Sequence, residues 1–207
     1  MELAIVITNA LLVLVGLSAF ATYFFKKHHD RRDAAIMIVL QLEEINKNII
    51  SVGKAMEGTI ILETSMFETN KVMNENLWSK YKHLLVKKIG MLNAASLNEF
   101  YQCAENIMVF QMNIKGSSQY SMNNSAYIYQ TTYANLYSSL RSNPAVADFK
   151  EDEISTMANN IASSATSSSK TYIPRIMGIT LDKFLTEHRG LKIETACVEL
   201  KKIAGIK

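Results

Sequence analysis

His28, His29 and Asp30 are consecutive, and they form the first grouping in this chain whose side chains could do chemistry. Two imidazoles beside a carboxylate suggest a metal site. Adjacent helical residues point in different directions, so the pair makes a poor chelate. Zinc needs three or four converging ligands, and the other histidines, His83 and His188, are isolated in sequence. The group reads better as titratable side chains at a membrane surface, where an anionic leaflet favours protonated imidazole.

Other candidates for chemistry fail on spacing. Gly53-Lys54 ends like a phosphate loop, but that motif wants Gly five residues earlier and Ser or Thr next. Here those positions hold Asn48 and Ala55. No G-x-S-x-G, H-E-x-x-H or C-x-x-C occurs in the sequence. Asp148, Glu151, Asp152 and Glu153 read as the acidic start of a helix, where carboxylates complement the amide dipole. Cys103 and Cys197 are too few for a disulfide framework and read as small buried hydrophobes in a reducing compartment. No catalytic residue, cofactor or metal is assigned, and the expectation is a protein that is not an enzyme.

The elements that carry these residues begin with an apolar run. Residues 3–25 hold no charge. As a helix they span roughly 34 Å, enough to cross a bilayer core of about 30 Å with some tilt. The start is Met1-Glu2, the run is long, and Phe24-Phe25-Lys26-Lys27 is a poor cleavage site, so a removed signal peptide fits badly. Lys26, Lys27, Arg31 and Arg32 follow the run. Basic residues stay on the cytoplasmic side, so the expected topology is a cell-membrane protein with its N-terminus outside and residues 34–207 in the cytoplasm. The overall charge of +3 leaves those residues nearly balanced. That excludes the basic stripe of a nucleic-acid binder.

With two prolines, eight glycines and helical spacing throughout, the expected fold class is all-α. One transmembrane helix (3–25) and a basic juxtamembrane flank (26–33) lead into a cytoplasmic bundle of about five to seven helices (34–207). No Gly or Pro lies between Phe25 and Ala34, which allows one rod from membrane to cytoplasm. Ala35, Ile38, Leu42, Ile45, Ile49, Val52 and Met56 are spaced three and four apart, a heptad seam. That stripe can pack on another helix of the same chain or on a second copy. Gly58 is a natural terminator, and residues 59–71 are ambiguous between strand and helix.

Further helices are expected over 72–89, from Ser96 and over 117–142. Ser96-Leu97-Asn98-Glu99 reads as a capping box, and Gly116 as a terminator or kink. In the 117–142 helix, Met122, Ala126, Tyr129, Tyr133, Leu136 and Leu140 share a face, flanked by Tyr120, Tyr127 and Tyr137. A tyrosine cluster can bind a partner or form core and rim. Asn143-Pro144 stops that helix. A short amphipathic helix carries Ile154, Met157, Ala158, Ile161 and Ala165. Residues 163–169, SSATSSS, read as a flexible connection, and Pro174 as the first turn of the next helix.

The function expected is binding. The chain reads as a scaffold or regulator anchored at the inner face, touching lipid and an unknown protein partner. The candidate interaction face is Ile38, Leu42, Ile45, Ile49, Val52, Met56, Tyr129 and Tyr133. The alternative is a membrane-active homo-oligomer, such as a channel, stator or toxin-like effector. It would assemble through the transmembrane helix and the 38–56 seam, with Asn9, Gly16 and Ser18 lining helix contacts.

Overall fold

A computed structural model describes residues 2–146, 148–167, 173 and 175–206; of residues 2–13 only the Leu12 side chain is included. The described chain is all-helical apart from one small hairpin. Its elements are α1 (Glu2–Lys54), β1 (Met56–Glu57), β2 (Ile60–Ile61), α2 (Glu63–Glu68), α3 (Leu77–Ile89), α4 (Met91–Arg141), a 3-10 turn (Pro144–Val146), α5 (Glu151–Ser167), α6 (Arg175–Gly190) and α7 (Glu194–Ala204).

The first helix runs unbroken for 53 residues. The basic flank is therefore helical and no hinge separates it from the stripe. The helix stops at Lys54, so Met56 leaves the seam and pairs instead with Ile61 across the antiparallel hairpin. The two-residue loop Gly58-Thr59 explains the hairpin, because a positive φ at its first position suits Gly, and Gly58 has φ 60°. That settles the ambiguous Ile60-Ile61 as strand.

Two further boundaries differ from the sequence expectation. Helix α3 starts at Leu77, not Val72, with the Asn76 side chain accepting from the Ser79 amide at 2.8 Å. Ser96 is not a cap: Gly90, with φ 84°, already supplies the break, so α4 begins at Met91. The Ser96 hydroxyl instead donates to the Leu92 carbonyl within the helix. Helix α4 then continues through Gly116 for 51 residues. A helical Gly costs about 1 kcal/mol relative to Ala, too little to break a helix held by neighbouring turns. Of the serine-rich stretch, residues 163–167 are helical and belong to α5, while residues 168–169, like Pro174, lie outside the described residues.

The chain divides into two compact units. The first comprises Met1–Ile50, Val72–Asn106 and Phe184–Lys207; the second comprises Ser51–Lys71 and Ile107–Lys183. The first unit has a core of large side chains: Ile38, Leu42, Ile45 and Ile49 of α1, Trp78 and Leu85 of α3, Leu97, Phe100 and Tyr101 of α4, and Leu200 of α7 are all buried. The seam is thus spent inside the chain.

The second unit is built differently. Its buried residues include Met66, Ile107, Ile114, Ile154, Ala158, Ala162 and Leu181. Helix α5 turns alanines inward, while Met157 and Ile161, expected on its inner face, are exposed. Gly178 of α6 is required by a close approach: a Cβ there would lie 1.9 Å from the Thr59 carbonyl oxygen of the hairpin loop.

Candidate functional site

The candidate interaction residues fall into three places. Ile38, Leu42, Ile45, Ile49 and Val52 are buried, so they are not presented to a partner; Met56 is half-buried in the hairpin. The physical reason is that the stripe faces the chain's own helices, which remove it from water more cheaply than association could.

Tyr129 and Tyr133 are half-buried and committed to α5. Tyr129 donates its hydroxyl to Asn159 Oδ1 at 2.6 Å, Tyr133 shares a hydrogen bond with Ser155 at 3.0 Å, and Tyr137 donates to Glu151 Oε1 at 2.7 Å. The three rings stack in sequence, with centroids 6.2 and 5.9 Å apart. Tyrosines at i, i+4 and i+8 share a face of α4 and meet polar residues at the same spacing on antiparallel α5. The acceptor bond to Glu151 pushes the Tyr137 pKa up, since it favours the protonated phenol. The four-residue spacing of Glu151, Ser155 and Asn159 is visible in the sequence, while their pairing with the tyrosines comes from the fold.

The third place is the start of α1. From residue 12 to residue 25 every described large apolar side chain is exposed, from 59% at Leu17 to 71% at Phe25. Ser18 and Thr22 return their hydroxyls to the carbonyls of Val15 and Ser18, so both hydroxyls are satisfied within the helix. Lys26 and Lys27 are exposed, with the Lys27 amine 5.5 Å from the Tyr23 ring centroid. Arg31 is half-buried, and Arg32 donates through Nε to the Ala204 carbonyl in the last turn of α7. Cations suit a helix C-terminus, so Arg32 ties the flank to the first unit. Among the described residues, no helix is long and apolar enough to cross a membrane. The described part of the run, 12 and 14–25, is shorter than the about 20 residues a crossing needs; the side chains of residues 3–11 and Val13 lie outside the described residues.

Within the first unit, a polar network locks the helices. Gln41 of α1 donates to the Glu75 carbonyl at 2.5 Å and accepts from the Leu77 amide at 3.1 Å and the Tyr101 hydroxyl at 2.9 Å. Burial pushes the Tyr101 phenol pKa upward. Trp78 is buried, and its indole N–H donates to Asn98 Oδ1 at 2.7 Å.

The same unit holds a cleft of about 550 Å³ that the sequence did not reveal. Glu99, Gln102, Cys103 and Asn106 of α4 form one wall; Thr186, Glu187 and Gly190 of α6, with Leu191, form the other. Glu99, Gln102, Cys103 and Asn106 follow helical spacing, but no signal links them to residues some 80 positions later. The Cys103 thiol donates to the Phe184 carbonyl at 3.4 Å. Burial, with Glu187 adding repulsion, pushes its pKa up to about 11. Such a thiol stays protonated at neutral pH and is no nucleophile. Carboxylates and side-chain amides give the cleft an excess of acceptors, which suits a group bearing N–H donors.

His28 and His29 sit edge to face at 6.4 Å on exposed helix. Among the described residues, no group of three or more His, Cys, Asp or Glu could hold a metal ion. His188 lies against the Phe100 ring at 5.0 Å, and burial lowers its pKa. No family model, no curated protein and no solved structure matches this chain.

Proposed function

We propose that this chain is a single-pass membrane-anchored binding protein whose residues 34–207 lie on the cytoplasmic side and act through protein–protein contacts. One observation carries the reading. Helix α1 passes without a break from an uncovered apolar run, through Lys26, Lys27, Arg31 and Arg32, into a buried stripe. An apolar face that encircles a helix and is covered by nothing needs lipid or protein around it. The cations that follow favour the inner leaflet.

Anchoring supplies the mechanism. A protein confined to one surface meets partners there at raised effective concentration, without any added contact. The acceptor-rich cleft of the first unit offers a partner a place for a lysine or arginine side chain. The rival homo-oligomer built through α1 and the 38–56 seam draws less support, because Ile38, Leu42, Ile45, Ile49 and Val52 are buried.

The test is extraction. Membranes carrying the full chain are washed at high pH and spun without detergent. The proposal expects the protein in the pellet, with residues 34–207 shielded from protease outside intact cells. Recovery in the supernatant overturns the anchor, and digestion from outside overturns the orientation.

A further inference from the structure

Arg31 carries donors that the chain leaves unused. Its side chain is half-buried, and its Nε is shut off from solvent with no hydrogen-bond partner. None of the ion pairs among the described residues involves it. A guanidinium offers five N–H donors and accepts nothing, and a buried N–H without an acceptor costs free energy. Its neighbour Arg32 is employed, donating through Nε to the Ala204 carbonyl at 3.2 Å.

Arg31 stands where the buried stripe of α1 runs out. Back from Ile38 and Ala35, both buried, the same face continues as Arg31 and then Lys27, which is exposed. Lys201 of α7 pairs with Glu43 at 3.7 Å, and Ala204 meets Arg32, so α7 descends along α1 and ends at this level. Asp33 lies on the far side of α1 and Asp30 at the edge of the face. Helical side chains lean toward the N-terminus, which on α1 means toward the apolar run. Arg31 is six residues past Phe25, about 9 Å along the axis. A headgroup layer is about 5–8 Å deep, so an arginine leaning back reaches it.

We propose that Arg31, with Lys27 one turn before it, holds the phosphate of an anionic phospholipid at the membrane end of the first unit. The inference rests on the anchor reading, which brings lipid to this level. Phosphate oxygens match the guanidinium fork and accept two of its N–H groups at once. Lys27 adds a second positive charge on the same face. An anionic headgroup fits better than a zwitterionic one, because it brings no cation of its own to compete, and basic juxtamembrane groups attract anionic lipid. Inorganic phosphate shares the chemistry, but only a lipid also lays acyl chains along the exposed apolar side chains of residues 12–25.

The test offers the full chain, in nonionic detergent, phosphatidylglycerol, phosphatidylcholine or inorganic phosphate, and reads the retained ligand by native mass spectrometry. The wild-type chain is expected to retain phosphatidylglycerol in preference to phosphatidylcholine. Arg31→Gln is expected to weaken that retention about tenfold, the scale of one charge-assisted hydrogen bond, with helicity unchanged. Arg31→Lys, which keeps the charge and loses the fork, is expected to weaken it less. Lys26→Gln removes the same charge about 140° round the helix from Arg31 and is expected to leave retention unchanged. Equal losses in Lys26→Gln and Arg31→Gln overturn the site in favour of charge alone, and full retention in Arg31→Gln overturns it outright. Displacement of the lipid by inorganic phosphate at equal concentration overturns the lipid assignment. A chain that pellets with membranes but retains no phosphatidylglycerol overturns this inference alone, whereas a chain left in the supernatant overturns the anchor on which it rests.

Discussion

Residues 12–25 and residues 34–52 of α1 lie on one unbroken helix, both rich in aliphatic side chains, and they differ in what covers them. In the second stretch the apolar positions recur every three or four residues, and Ile38, Leu42, Ile45, Ile49 and Val52 are buried. In the first they run all round the helix, and every described one is exposed. A one-sided stripe can be satisfied by a few neighbouring helices. An all-round apolar surface needs cover on every side, from lipid or from protein. The four cations, Lys26, Lys27, Arg31 and Arg32, lie between the two stretches.

The contrast is broken most severely by putting charge into the first stretch. Leu17→Lys with Phe20→Lys would add about 2.5–3.5 kcal/mol per lysine to the cost of insertion. The protein is expected to leave the membrane pellet while its denaturation midpoint stays unchanged. The second stretch should answer the opposite way. Ile45→Ala removes a fully buried side chain and should cost about 2–5 kcal/mol in chemical denaturation, with membrane recovery unaffected. If either variant moves both readouts equally, the two stretches are not distinct.

Smaller effects sharpen the comparison by showing where stability does not come from apolar burial. Gly178→Ala drives a Cβ against the Thr59 carbonyl and should cost about 1–3 kcal/mol through strain, although it improves helix propensity. Tyr133→Phe deletes one rung of the ladder and should cost about 0.5–1.5 kcal/mol, far less than Ile45→Ala. The smallest effect is a pH dependence from His188. Burial holds its pKa below the ordinary value of about 6.5. Its contribution is therefore present above that pH and is lost as pH falls through the lowered value. His188→Gln should flatten the acid limb of a stability profile, measured as midpoint against pH.

Helices were the legible part of this sequence, because their signals are local. The 3.6-residue period marked the α1 stripe; along α4, Leu97, Phe100, Tyr101, Ala104, Ile107 and Met108 keep helical spacing, and all are buried but Met108, which is half-buried. Helix ends were less legible. Gly90 and Gly116 look alike in sequence, yet one breaks the chain at φ 84° and the other is absorbed within α4. What decides is tertiary packing, which is not written in a window of a few residues. The capping box failed for the same reason: a Ser-x-x-Glu pattern caps only where a helix begins, and this one already had.

The sites were legible in proportion to how local they were. The basic flank could be read directly. The seam could be read as apolar, but not as closed by the chain's own helices. Tyr129 and Tyr133 were visible on one face with Tyr137 at its flank, but the partners of the three, Asn159, Ser155 and Glu151, lie 14 to 30 residues on. The cleft joins segments further apart still, and only the fold assembles it.

Hydrogen exchange along α1, measured on the full chain in lipid nanodiscs and again after transfer to a short-chain detergent, tests the division of this helix most directly. The amides of residues 12–25 should be protected in lipid and lose much of that protection in the detergent, while those of residues 38–49 keep theirs in both. Protection over residues 12–25 that is indifferent to the surrounding medium would contradict the account.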